Sequence, residues 1–253
     1  MTTPVTLSLT KLCWVFVFIQ SCLLFTTSAV VLANDERAPL KISLKKGARL
    51  SLIAPLPKAG AEKLVQTYLQ QAFPLSKQFG AISHGPIPIE KTLVGRYAPP
   101  SFSFFSWPNA ASEVAFTEHA DWPGIKALRP KAWDELKIFT SEVSQDTKLT
   151  FSPTKYYTVA IAWFNPERPN DYVTYLNNIE NSLQNFGGRF FYKMTNISYE
   201  RHASEQTAPN QITLVEWDSA DVLQRLQADE EYQQYVALLE RRIVDFELHL
   251  LHL

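Results

Sequence analysis

Cysteine is almost missing from the chain: its 253 residues include only Cys13 and Cys22, and both precede Asn34. With that leading segment set aside, there is no thiol nucleophile, no disulfide and no cysteine-ligated metal or cluster to consider. Glycine is scarce too, at eight residues. No phosphate-cradling loop, dinucleotide fingerprint, nucleophile elbow or metal-binding helix motif can be found. An excess of either charge is also lacking, since 24 basic side chains stand against 25 acidic ones and no block of like charge occurs. Nucleic acid is therefore not expected as a partner. What the chain has is apolar mass, 46% hydrophobic and 13% aromatic residues, enough for one large or two small domains around a substantial core.

The first segment stands apart. Lys11 precedes LCWVFVFIQSCLLFTTSAVVLA, and the chain turns polar at Asn34-Asp35-Glu36. Val31-Leu32-Ala33 offers the small residue a signal peptidase needs, so residues 1–33 read as a secretory signal and the protein as exported, periplasmic or secreted. The alternative is a retained anchor, because the run is long enough to span a bilayer. Only in that case would a membrane be a partner.

The rest is organised by a repeat. LVEWDSADVLQRLQADEEYQQYVALLERRIVDFELHL, from Leu214 to Leu250, echoes FFSWPNAASEVAFTEHADWPGIKALRPKAWDELKIF. Trp107 matches Trp217, Trp122 matches Tyr232, and the spacing continues through Leu136/Phe246 and Ile138/Leu248. Upstream, Phe79-Gly80-Ala81 mirrors Phe186-Gly187-Gly188, where glycine allows a left-handed helix exit. Within each copy the pattern runs strand, helix, strand, strand, helix, strand. In the first copy the strands are Arg49 to Ala54, closed by Pro55 and Pro57; a stretch after Ala81 broken by Pro86 and Pro88; Phe102 to Trp107; and Leu136 to Phe139. A helix carries Leu64, Tyr68, Leu69 and Ala72 and ends near Pro74; others begin at Pro108 or Asn109 and at Asp121-Trp122-Pro123. In the second copy, Tyr172, Leu176, Ile179, Leu183 and Phe186 form a helical stripe, and Asp218 is the expected cap of the later helix.

Each copy is thus a β-α-β-β-α-β unit with helices on one sheet face only. The other apolar face needs a partner, and the twin supplies it. The expected fold is α+β: two tandem ferredoxin-like units, residues 48–141 and 156–253, forming an intramolecular pseudo-dimeric α/β barrel. Residues 34–47 would be a polar lead-in and 142–155 a linker.

GGRFFYK followed by ITLVEWDSADVLQRLQADEEYQQYVALLERR and a final apolar strand resembles the dimeric α/β-barrel superfamily, nearest the domain of unknown function 1330 branch. Gly187, Gly188, Arg189, Glu216 and Tyr232 match that pattern. The first unit departs from it, with Ile82 in place of the Arg and Ser106 in place of Glu216; Arg129 fits its helix pattern. The superfamily includes monooxygenases, isomerases and haem proteins, so the resemblance implies a fold and leaves the chemistry open.

Candidate catalytic residues are Glu216 paired with Arg189, joined by His249. The alternative for Glu216 and Arg189 is a structural ion pair between strands. Asp245, Glu247 and His249 share one strand face, expected to be solvated although it could line a cavity. Tyr192, Trp163, Tyr232 and Arg129 are the candidate ligand-binding residues, aromatic strands more commonly being core. No metal and no cofactor is expected; a haem would need an axial histidine, and His84, His119, His202 and His249 read as surface or hydrogen-bonded core. The expected function is binding of a small apolar molecule or an accessory role, by a monomeric pseudo-dimer capable of further self-association. The alternative is a cofactor-independent monooxygenase or isomerase acting on a small aromatic or lactone-like substrate.

Overall fold

The structure, a computed structural model, describes residues 38–168, 170–202, 206–239 and 243–253. The expected signal segment lies outside them. In chain order the elements are β1 (Leu40–Leu44), β2 (Arg49–Pro57), α1 (Glu62–Gln78), β3 (Ile82–Val94), β4 (Ser101–Trp107), α2 (Ala110–Thr117), α3 (Trp122–Lys126), α4 (Arg129–Ala132), β5 (Trp133–Glu142) and β6 (Thr147–Phe151). They continue as β7 (Tyr156–Phe164), α5 (Asp171–Asn185), β8 (Gly188–Thr195), β9 (Ser198–His202), β10 (Gln211–Trp217), α6 (Asp221–Ala228), α7 (Glu230–Leu239) and β11 (Ile243–His252).

Among the described residues, nine strands form one antiparallel sheet in the order β8-β10-β7-β11-β3-β4-β2-β5-β9. Each half of that order has the ferredoxin-like arrangement, β5-β2-β4-β3 in the first unit and β11-β7-β10-β8 in the second. Two cross-pairings join the units. The far end of β3 pairs with β11, His249 facing Thr92, and β9 pairs with β5, Tyr199 facing Phe139. The ends of the order, β8 and β9, are separated only by Asn196 and Ile197, and Asn196 turns the chain with φ 51°. The sheet's two edges are therefore consecutive stretches of one strand path, so the sheet is wrapped on itself.

Period-two alternation sorts the side chains. Leu50, Leu52 and Ala54 on β2, Phe102 and Phe104 on β4, and Tyr157, Val159, Ile161 and Trp163 on β7 share one inner cluster, with Phe139 and Leu251. The alternate residues face helices: Phe105, Trp107 and Leu136 pack with Tyr68 and Trp122 in the first unit, Ala162, Val215 and Trp217 with Leu176 and Leu183 in the second. Glycine is required where the second unit leaves α5. Gly187 has φ +71°, and a Cβ on Gly188 would come within 2.5 Å of the Trp217 ring.

Several boundaries differ from those expected. The lead-in and the linker are not passive: β1 and β6 form a two-stranded antiparallel ribbon, Leu40 facing Phe151. Its Ile42, Leu44, Leu149 and Phe151 join the inner cluster, where Phe151 lies 5.0, 4.9 and 4.9 Å from the rings of Phe104, Tyr157 and Phe191. The polar residues that suggested a connector are the ribbon's outer face. The prolines do not break strands either. Pro55 and Pro57 lie where β2 pairs with β5 alone, and Pro86 and Pro88 where β3 pairs with β4 alone, so a missing N–H can point to the unladdered side. Pro74 sits inside α1 on its exposed face, and the helix runs on to Gln78. Asn109 caps α2 as expected, accepting from Ser112 N at 2.9 Å. Asp218 does not cap α6; it binds Lys155 Nζ at 2.6 Å.

Phe151→Ala tests the ribbon. Emptying that inner position should lower stability by about 3–5 kcal/mol in chemical denaturation, whereas a residue in a mere linker would cost no more than about 0.5 kcal/mol.

Candidate functional site

Among the described residues, charged groups interrupt the apolar inner layer beside the β1–β6 ribbon and again deeper inside. Glu216 stands on the same face of β10 as Ile212 and Leu214, directly across from Arg189 on β8, and Arg189 Nε donates to its Oε1 at 2.8 Å. Its other oxygen accepts from Tyr157 OH at 3.2 Å, and that hydroxyl accepts from Ser152 N at 2.7 Å. Burial, opposed by the Ser152 N–H and assisted by Glu216, pushes the Tyr157 phenol up to about 12. The Arg189 side chain is 61% exposed and Glu216 14%, so the pair is a tie between neighbouring strands at the rim.

Phe191 is the extra residue of a bulge in β8, since Phe190 faces Val215 and Tyr192 faces Leu214. A bulge turns a side chain out of the alternation, and here Phe191 lies under the Arg189 guanidinium at 5.4 Å and beside Tyr157 at 5.3 Å. Phe191 and Tyr192 form one side of a groove of about 620 Å³ against the ribbon. Leu149 lies in its floor, and Arg49, Lys148 and Lys193 bring positive charge against the single carboxylate of Glu142. Arg49 is anchored by Glu113 at 2.9 Å and Ser198 at 2.7 Å.

The second place is inside the wrapped sheet. Glu247 and His249 were expected on a solvated face, and the structure corrects this: they are 3% and 0% exposed, because β11 turns that face to the inner layer. Facing them is Lys137 of β5, 1% exposed, whose Nζ donates to Glu247 Oε1 at 2.7 Å and to Gln206 Oε1 at 2.6 Å, 3.6 Å from Glu135 and 4.0 Å from the centre of the Tyr97 ring. Gly95, with φ +102°, passes so close that a Cβ would lie 3.1 Å from Glu247 Cγ. Gln206 also donates to Asp245 at 2.6 Å. His249 Nδ1 is 3.0 Å from Thr92 Oγ1, its ring meets Phe102 edge-on, and its Nε2 faces Glu247 Oε2 at 3.6 Å. Burial would raise the Glu247 carboxyl, but the imidazole of His249 and the ammonium of Lys137 outweigh it and hold the group below its ordinary value. With both nitrogens turned to protein groups and no exposure, His249 does not fit the axial position of a haem.

Of the sequence-derived candidates, Glu216, Arg189 and Tyr192 gather around Phe191 and the groove. His249 belongs to the interior cluster and faces Val159, while Glu216 faces Tyr157 on the same β7 strand. Trp163 is inner core, its Nε1 donating to Thr207 O at 2.8 Å. Tyr232 packs in the helix-side core of the second unit. Arg129 is a tie between units: its guanidinium bonds Tyr68 OH at 2.8 and 3.0 Å and Glu200 Oε1 on β9 at 2.7 Å. Neither Tyr232 nor Arg129 lines the groove. Lys137 was missed, although a signal existed: it shares a strand face with Phe139 and stands at the repeat position of Glu247.

Residues 156–248 match the family model described as Domain of unknown function (DUF1330). Against curated protein sequences there is no significant match. Among solved structures, an anthrone oxidase-like protein is similar at 12% identity and a TM-score of 0.53, covering 83% of this chain and 94% of that one. A dimeric ferredoxin-like protein of unknown function from Bacteroides fragilis is similar at 9% identity over 40% of this chain and 97% of its own, TM-score 0.29. A mutant chlorite dismutase from Candidatus Nitrospira defluvii is similar at 10% identity over 83% and 93%, TM-score 0.42. The chain has the dimeric α/β-barrel, ferredoxin-like fold, and the family match falls on its second unit.

Two measurements follow from the geometry. Glu216→Gln should cost under about 1 kcal/mol, because its partner is largely solvated; a larger loss in urea melts would contradict the rim assignment. The depressed Glu247 carboxyl adds stability at neutral pH that is lost as pH falls below its unfolded value of 4.5 and through the lower folded one. In Glu247→Gln that acid-limb contribution should vanish, and the stranded Lys137 should lower neutral-pH stability by about 3–5 kcal/mol.

Proposed function

We propose that the protein is an exported binding protein that holds a small aromatic or otherwise apolar anion in the groove between the β1–β6 ribbon and β8, without turning it over. The observation that carries this reading is the makeup of the groove: Phe191, Tyr192 and Leu149 offer apolar contact beside Lys148, Lys193 and an Arg49 that Glu113 holds in place. Its volume, about 620 Å³, falls in the range of small-molecule sites. Rim cations beside an aromatic wall favour a ligand with a flat ring and a carboxylate, the ring held by dispersion and apolar burial, the acid by charge. Export rests on the leading segment, whose apolar run and small residues before Asn34 support it.

A second reading has its own support. Lys137, Glu247 and His249 place an ammonium, a carboxylate and an imidazole together in a buried setting, the kind of cluster that moves protons in enzymes. The anthrone oxidase-like neighbour suggests oxidation of an aromatic substrate as the chemistry to try. Burial weighs against it, since Lys137, Glu247 and His249 are 1%, 3% and 0% exposed.

The test uses 2-naphthoate, benzoate and neutral naphthalene as probes in calorimetric titrations of the mature chain. Binding of the acids, weakened about tenfold by Phe191→Ala, is expected, since a half-buried ring contributes about 1.4 kcal/mol. Naphthalene binding as tightly as 2-naphthoate would remove the role of the cations, and no binding by any probe would sink the groove reading. Anthrone consumed with dioxygen by wild type and not by Glu247→Gln would establish the second reading in its place.

A further inference from the structure

The interior ion pair joins a residue to its own repeat mate. Lys137 and Glu247 are 110 residues apart, the spacing that also relates Trp107 to Trp217. The strand ladders establish the equivalence independently of sequence likeness. On the first unit Lys137 lies opposite Ala54, Phe139 opposite both Leu52 and Tyr199, and Leu50 opposite Ser106. On the second, Glu247 lies opposite Ile161, His249 opposite both Val159 and Thr92, and Tyr157 opposite Glu216. The register is the same at these positions, although the β3–β11 joint carries two register shifts that β5–β9 lacks. Two equivalent residues in contact must lie at the pseudo-two-fold axis relating the units. In a pair of identical units that place would hold two identical side chains.

We infer that Lys137 and Glu247 code the inner face of each unit for the other, so that the partner each face accepts is the unlike unit and not a second copy of itself. Pairing of two second units would bring two Glu247 carboxylates together at a buried place with no cation between them. Pairing of two first units would set two Lys137 ammoniums in contact, with Glu135 3.6 Å away at the rim and not on the axis. The unlike pairing satisfies the axis with one ammonium and one carboxylate at 2.7 Å. The cost of an unmatched buried charge is what gives the choice its strength. Arg129 of the first unit and Glu200 of the second, bonded at 2.7 Å, tie the same unlike pairing from outside the axis.

The experiment uses the full mature chain with Lys137→Glu, Glu247→Lys, the charge-swapped double variant, and Lys137→Met with Glu247→Met. In denaturant melts each single reversal should lower the folding equilibrium constant, and the swap should recover on the order of tenfold or more relative to the product of the single effects. The double Met variant fills the axis with neutral side chains of similar length, so it should fold, and like units from different copies could then pair. Native mass spectrometry should show it forming larger assemblies than wild type, growing with concentration. Additive single effects with no recovery in the swap would overturn the pairing role, as would a folded double Met variant whose assembly state matches wild type at every concentration.

Discussion

A four-stranded sheet covered by helices on one side still has a second apolar face, and in this chain the mutual burial of two such faces governs what each other part can do. Leu50, Leu52, Phe102, Phe104 and Phe139 from one unit, and Tyr157, Val159, Ile161, Ile212 and Leu214 from the other, form a single cluster. Neither set could stay exposed in a stable monomeric unit. The joints β3–β11 and β5–β9 follow from the same demand, because each unit's outer strand must be paired as well as its face covered. Once the sheet is wrapped, its interior is a packed layer, and the β1–β6 ribbon completes the filling with Ile42, Leu149 and Phe151. Open space is left at the margin, where the ribbon meets β8.

That margin is asymmetric because duplication freed the copies to diverge. Both units keep the same bulge, with Phe191 extra in β8 and His84 extra in β3. The residues around it differ: Arg189, Tyr192 and Glu216 in the second unit correspond to Ile82, Gly85 and Ser106 in the first, where His84 Nε2 bonds Ser106 Oγ at 2.8 Å. An aromatic wall with a charged rim on one side thus faces a small, locally satisfied polar contact on the other. A homodimer would have carried two copies of whichever arrangement it used.

The architecture was legible in the sequence because it rests on patterns that every turn of chain repeats. Trp107/Trp217 and the Gly-rich helix exits set the repeat, and one-sided amphipathic helices such as α5 implied a second sheet face in need of a partner. The ribbon was illegible because its strands are short and half exposed, so Lys41, Ser43, Lys148 and Thr150 make the segments look like connectors. Prolines misled for a related reason. A strand with one free edge tolerates a residue without an N–H, and which edge is free depends on partners distant in sequence.

The site was harder to read than the fold, and the reason is the same packing. Asp245, Glu247 and His249 alternate with Phe246, Leu248 and Leu250, a pattern that in an isolated sheet sends the charged face to water. Here both faces of β11 are covered, helices taking Leu250 and the opposite unit taking Glu247 and His249. A buried carboxylate implies a buried cation, and the fold places Lys137 where the twin of Glu247 must fall. Polar alternation on a strand of a duplicated one-sided unit therefore admits a second meaning besides solvent. When the repeat aligns opposite charges at one position, that position is a place where the two units meet.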